Sequence, residues 1–179
     1  MSNVRGEQCV LGKLIPQLRV STIYEIDTDM LKRQGIRGII TDLDNTLVGA
    51  KRPDATPELL EWLKRLKAEG FQVVIVSNNR HLRVARFSEP IGIPFIYSAR
   101  KPFGRAFRQA MGQMGLTSKQ TVVIGDQMLT DVLGGNRMGL YTIMVDPIAM
   151  ADEGFFTRIN RRIEKVATRL MKTGNKKRI

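Results

Sequence analysis

The chain has 179 residues, 42% apolar and 26% charged, which are the proportions of one soluble globular domain rather than a disordered chain. Its single cysteine, Cys9, excludes an internal disulfide and any CxxC zinc site, and points to a reducing compartment. The net charge is +12, and residues 151–179 alone carry nine basic against three acidic side chains, which points to an anionic partner such as nucleic acid or an acidic membrane surface.

In chain order, residues 10–20 are interrupted by Lys13, Pro16 and Arg19 and make a poor signal peptide. No apolar run approaches the roughly 18 residues of a membrane span. A soluble, cytoplasmic protein is the expectation. Gly38-Ile39-Ile40-Thr41 then reads as a strand. Thr56 caps a helix that has Pro57 in its first turn and Leu59, Leu60, Leu63 and Leu66 along it, stopping near Gly70. Residues 73–76 form a wholly apolar strand, as expected where both faces of a sheet are covered. A helix over 82–88, a short strand over 94–97 and a helix over 103–114 follow. Residues 121–124 are another buried strand, 128–138 a helix and 141–145 a fifth strand. This alternation predicts an α/β fold, a Rossmann-like parallel sheet with helices on both faces. Ligands of such sheets bind beyond the carboxyl ends of the strands.

Those ends carry an unusual set. The first strand runs into Asp42-Leu43-Asp44-Asn45-Thr46, the second into Ser77-Asn78-Asn79, the third toward Lys101-Pro102, and the fourth into Gly125-Asp126 with Asp131 beyond. Taken singly, each is ordinary: a strand-end Asp is usually a helix cap, and Ser77 a turn residue. Together they bring several carboxylates, a hydroxyl and an ammonium to one edge. Converging carboxylates repel in low dielectric, and a hard cation such as Mg²⁺ relieves that repulsion. With a phosphoryl group present, the cation and Lys101 would offset its charge. Aspartate is a known nucleophile toward phosphorus, and a second carboxylate two residues on can serve as acid and base.

Asp42-x-Asp44-x-Thr46, Ser77, Lys101 and Gly125-Asp126-x₄-Asp131 resemble, in order, the four motifs of haloacid-dehalogenase-like (HAD) phosphatases. The resemblance implies that Asp42 is the nucleophile and Asp44 the acid/base. It places Thr46, Ser77, Asn78 and Lys101 at the substrate phosphate. Mg²⁺ would be held by Asp42, Asp44 (through its backbone carbonyl), Asp126 and Asp131. Only 32 residues separate Asp44 from Ser77 and 23 separate Ser77 from Lys101, so no cap domain fits in either gap. An open site implies a bulky substrate, a macromolecule or a lipid headgroup. The flanks Leu14-Ile15-Pro16, 21–27 and 31–35 are similar to the YqeG-like branch, which is related to phosphatidylglycerophosphate phosphatases.

The expected organisation is one domain over 1–179, with an N-terminal arm (1–37), a catalytic core (38–146) and a basic amphipathic C-terminal helix and tail (155–179). At about 100° per residue, Phe155, Ile159, Ile163, Val166 and Leu170 share one arc, and Arg158, Arg161, Arg162, Lys165 and Arg169 another. Such a helix either packs on the core or lies on an anionic membrane, which would place the protein peripherally at the membrane's inner face. Residues 11–20 either join it at the interface or cover the sheet. His81, the only histidine, reads as a surface residue at a helix start, and Cys9 as an inert thiol. The leading function is a Mg²⁺-dependent phosphomonoesterase. Its alternatives are a phosphatase of nucleic-acid or protein phosphates, or a non-catalytic nucleic-acid-binding protein on the same core.

Overall fold

Along each central strand, successive apolar residues fall into two separate clusters. Ile39, Ile75, Val122 and Ile124 belong to one, and Ile40, Val74, Val76 and Val123 to the other. This is the alternation of a strand whose side chains point to opposite faces, both of them covered. In the computed structural model, which describes residues 12–148, these strands lie in a six-stranded, all-parallel sheet. In chain order the strands are β1 (Leu18–Val20), β2 (Gly38–Thr41), β3 (Gln72–Val76), β4 (Phe95–Ile96), β5 (Thr121–Gly125) and β6 (Tyr141–Val145). Their spatial order is β1-β6-β5-β2-β3-β4.

The first face is covered by α1 (Thr28–Arg33), α2 (Pro57–Ala68) and α3 (His81–Ser88), through Leu31, Leu59, Trp62, Leu66, Val84 and Phe87. Helix α2 starts as its sequence requires: the Thr56 hydroxyl accepts from Leu59 N at 3.2 Å and Pro57 occupies the first turn. The second face is covered by α4 (Arg105–Met114), through Ala106, Phe107 and Ala110, and by α5 (Leu133–Arg137). Helix α5 lies close on the sheet because Gly135 has no side chain; a Cβ there would meet Thr142 Cγ2 at 2.5 Å.

Two features differ from the sequence expectation. The sheet has six strands rather than five, because Leu18–Val20 pairs in parallel with β6, Leu18 opposite Ile143. Gln17 anchors this edge: its side-chain oxygen accepts from Thr142 N at 2.7 Å and from Thr142 Oγ1 at 2.6 Å. A three-residue strand just after Pro16 has no periodicity of its own, so only its pairing defines it. The second difference is at 128–138, where the first five residues, Met128–Val132, form a π turn before α5 begins. Cys9 and the 155–179 helix lie outside the described residues. No described helix is long and apolar enough to cross a membrane.

The chain starts its central sheet at β2, moves outward through β3 and β4, then returns to the other side of β2 with β5 and β6. The strand order therefore reverses at β2, and the crevice at that switch point opens beyond its carboxyl end. Asp42 is the first residue past that end.

Candidate active site

Each strand end delivers its residue with a local reason. Asp42 continues the β2–β5 ladder by one bond, its N donating to Ile124 O at 2.9 Å, and is 6% exposed. The chain then turns sharply at Asn45, a non-glycine residue at φ 66°, and Asn45 N donates to Val48 O at 2.7 Å. Buried Leu43, Leu47 and Val48 pin this turn to the core. The Thr46 hydroxyl, expected at the substrate phosphate, donates to Asp126 Oδ1 at 3.0 Å, joining the β2 loop to the β5 loop.

Beyond β3, Ser77 is buried and its Oγ accepts from Asn79 N at 3.1 Å. Asn78 grips the backbone of Lys101 from both sides: its Oδ1 accepts from Lys101 N at 2.7 Å and its Nδ2 donates to Lys101 O at 3.3 Å. The loop after β4 bends through Ser98 and Arg100, both at positive φ. It is held by Ser98 N donating to Asn79 O and Ala99 N to Ser77 O. These bonds aim the Lys101 side chain inward. Its Nζ lies 2.9 Å from Asp42 Oδ1 and 2.7 Å from Asp131 Oδ1, and it is almost wholly buried.

The segment after β5 closes the set. Asp131 stands in the π turn, its Oδ2 accepting from Gln127 N at 3.2 Å, so its carboxylate folds back over the end of β5. Gly125 makes room for it: a Cβ at that position would lie 2.3 Å from Asp131 Cγ. Asp42, Asp126 and Asp131 each offer an oxygen within 4.8 Å of the others. Burial, then the charges of Asp131 and Asp42, push Asp126 up to about 7. Burial likewise raises Asp42 to about 6, with Lys101 pulling the other way and Asp131 adding to the rise. Burial would depress Lys101, but the Asp131 and Asp42 carboxylates outweigh it and hold its pKa above the usual lysine range. Asp126 Oδ2 is buried without a hydrogen-bond partner. Three carboxylates against one ammonium, with an orphaned acceptor among them, are the donor set that a hard divalent cation satisfies.

Asp44 stands apart from this triad. Arg83 Nε and Nη2 donate to its Oδ1 at 3.1 and 2.8 Å, and Asn79 Nδ2 donates to its Oδ2 at 2.9 Å. A cavity of about 320 Å³ joins the parts, lined by Asp42, Asp44, Ser77, Asn79 and Lys101, and also by Gln127 and Thr130. Sequence reasoning did not anticipate Arg83, Asn79 as a ligand of Asp44, or the Gln127 and Thr130 wall. Asn79 carried a signal, being part of the strand-end run 77–79, and so did Gln127, which ends the strand-end run 125–127. Arg83 is one of two arginines on α3.

The family described as mitochondrial PGP phosphatase matches this chain over residues 10–149. The chain belongs to this phosphatase family. As a PGP phosphatase family member it is 56% identical over 151 residues to "Probable phosphatase YqeG" of Bacillus subtilis (strain 168), covering 84% of this chain and 87% of that one. It is 31% identical to the chloroplastic/mitochondrial phosphatidylglycerophosphate phosphatase 1 of Arabidopsis thaliana over 84% of this chain. That alignment covers 46% of the plant protein, so the chain spans less than half of that relative's length. Among solved structures, NagD of E. coli K-12 superposes with a TM-score of 0.51 at 16% identity, covering 66% of this chain and 91% of that one, a likeness of fold. The chain is a HAD-type phosphatase of the YqeG-like branch, as its motifs led us to expect.

Proposed function

We propose that this phosphatase hydrolyses phosphate monoesters through an aspartyl-phosphate on Asp42, and that its substrate is a lipid headgroup phosphate, phosphatidylglycerophosphate. The observation that carries the chemistry is the meeting of Asp42, Lys101 and Asp131 within 2.9 Å contacts at the floor of a cavity that Asp44 and Ser77 also line. Asp42, at about 6, is chiefly anionic at neutral pH and carries the lone pair for attack. Its carboxylate oxygen forms a bond to phosphorus as the ester oxygen leaves, and Asp44 donates the proton that the leaving oxygen needs. Asp44 then takes a proton from water, whose oxygen attacks phosphorus and breaks the bond to Asp42. The Arg83 pair suits this second step, in which Asp44 must be anionic. Ser77 Oγ, already accepting from Asn79 N, keeps its own proton to donate to a phosphoryl oxygen.

Asp42, Asp126, Asp131 and the Asp44 carbonyl would hold Mg²⁺, which when bound supplies charge neutralisation for the carboxylates and the phosphoryl oxygens. The lipid substrate is supported by the family and by the plant relative's described substrate. It is supported too by the spans between the motifs: β3 and one helix lie between Asp44 and Ser77, and α3 and β4 between Ser77 and Lys101. Neither span covers the cavity with a separate domain.

Phosphate release should be measured over lipid, nucleotide, sugar and protein phosphates, with and without Mg²⁺. Release from phosphatidylglycerophosphate in mixed micelles, dependent on Mg²⁺ and reduced to background in Asp42→Asn, is expected. Undiminished turnover by Asp42→Asn would overturn the nucleophile. A clear preference for a phosphoprotein or a nucleic acid would overturn the lipid substrate.

A further inference from the structure

The segments that follow β3 and β4, and carry Ser77, Asn79 and Lys101, also carry side chains that no step of hydrolysis uses. Leu82 is 80% exposed, Phe103 69% and Tyr97 47%. A single exposed apolar residue is ordinary. Here three follow closely on cavity-lining residues: Leu82, in the first turn of α3, is three residues after Asn79, Tyr97 comes directly after β4, and Phe103 is two residues after Lys101. The loops are stitched together by Ser98 N donating to Asn79 O at 2.8 Å and by the His81 ring edge-on to Tyr97 at 4.7 Å. A groove of about 690 Å³ runs beside the site, bordered by Tyr97, Arg100, Phe103 and Arg105.

The charge of this stretch is one-sided. Residues 77–109 contain seven Lys and Arg and one acid, Glu89. Arg83 and Lys101 are engaged inside the site, whereas Arg80, Arg100 and Arg105 are exposed and form no ion pair among the described residues. Exposed arginines interleaved with aromatic and aliphatic side chains suit the boundary between headgroups and acyl chains. Leucine has no π face on which a base could stack, so its exposure favours lipid over nucleic acid.

We infer that these two segments, with the first turns of α3 and α4, are a docking surface for an anionic lipid bilayer, with Leu82, Tyr97 and Phe103 entering the interface and Arg80, Arg100 and Arg105 meeting lipid phosphates. This rests on the lipid-substrate reading above. Docked in this way, the cavity faces the headgroups, and a phosphate reaches Ser77 and Lys101 without extraction of the lipid.

The full chain should be tested for co-sedimentation with phosphatidylcholine vesicles with and without phosphatidylglycerol. Binding should require the anionic lipid and weaken with salt. Leu82→Ser and Phe103→Ser should each lower the partition coefficient about tenfold, and Arg100→Gln and Arg105→Gln about fivefold each. Turnover of soluble p-nitrophenyl phosphate should be unchanged in all four, which also shows that they fold. Phe103→Trp should show a blue-shifted emission on anionic vesicles and quenching by brominated lipid. Unchanged vesicle binding in the four variants would overturn the docking surface, as would rim substitutions that weaken only RNA binding. If the enzyme hydrolyses phosphatidylglycerophosphate in micelles yet ignores anionic vesicles, the docking surface falls and the phosphatase reading stands.

Discussion

Asp126 carries an electrostatic cost that a single substitution should remove. The residue is 3% exposed, and burial with two neighbouring carboxylates raises its pKa from the ordinary 3.8 to about 7. Between those values the folded protein holds a proton that the unfolded chain has released. In metal-free buffer, the stability present below about pH 4 is therefore lost as pH rises through about 7. Roughly three pKa units at 1.36 kcal/mol each amount to about 4 kcal/mol, a large share of the 5–15 kcal/mol typical of a domain. Asp42, raised to about 6, adds a smaller loss of the same sign.

Asp126→Asn keeps the oxygen that accepts from Thr46 Oγ1 and puts an amide donor where Oδ2 has no partner. In EDTA at pH 8 the variant should be the more stable protein, by about 2–4 kcal/mol, and near pH 4 the two should match within about 1 kcal/mol. Saturating Mg²⁺ should then raise the stability of the wild type, by about 2.7 kcal/mol at a hundred times its Kd, offsetting most of that gap, and leave the variant nearly unmoved. Urea unfolding followed by fluorescence of the single, buried Trp62 measures all three conditions. A wild type as stable as the variant in EDTA at pH 8, with a flat profile from pH 4 to 8, would refute the reasoning.

Three further outcomes follow from the geometry. Gly125→Ala places a methyl 2.3 Å from Asp131 Cγ, so it should cost about 1–3 kcal/mol in unfolding measurements and weaken Mg²⁺ activation, because Asp131 must leave its contact with Lys101. Asp44→Asn should lower kcat by about 10²–10⁴ without a matching rise in KM. Arg83→Gln, which frees the Asp44 carboxylate from its ion pair, should show the same kcat-dominated loss at smaller size; steady-state kinetics on a soluble ester would separate this from a loss of binding.

Much of this protein was legible in its residue pattern. The apolar runs at 39–40, 74–76 and 122–124 are buried on both sides, as expected of strands in a parallel sheet covered on both faces. Capping and period specify α2, because Thr56, Pro57 and the leucines act within a few turns. The strand-end acids, Ser77 and Lys101 were visible as well, because a parallel sheet sends every strand's carboxyl end to the same edge.

Tertiary structure alone decided what depends on partners distant in the chain. Leu18–Val20 is a strand only because β6 offers an open edge and Gln17 reaches Thr142. Asn78 acts on the Lys101 backbone, 23 positions on, and Arg83 on Asp44, 39 positions back. Thr46 turns to Asp126 across 80 positions. Local propensity carries no record of such pairs, since their energy appears only after the loops have closed. The sequence by itself determined the kind of sheet and which residues stand at its functional edge. Folding decided which of those carboxylates share Lys101 and which is held apart by Arg83, because burial and distance, not residue type, set the charge each can bear.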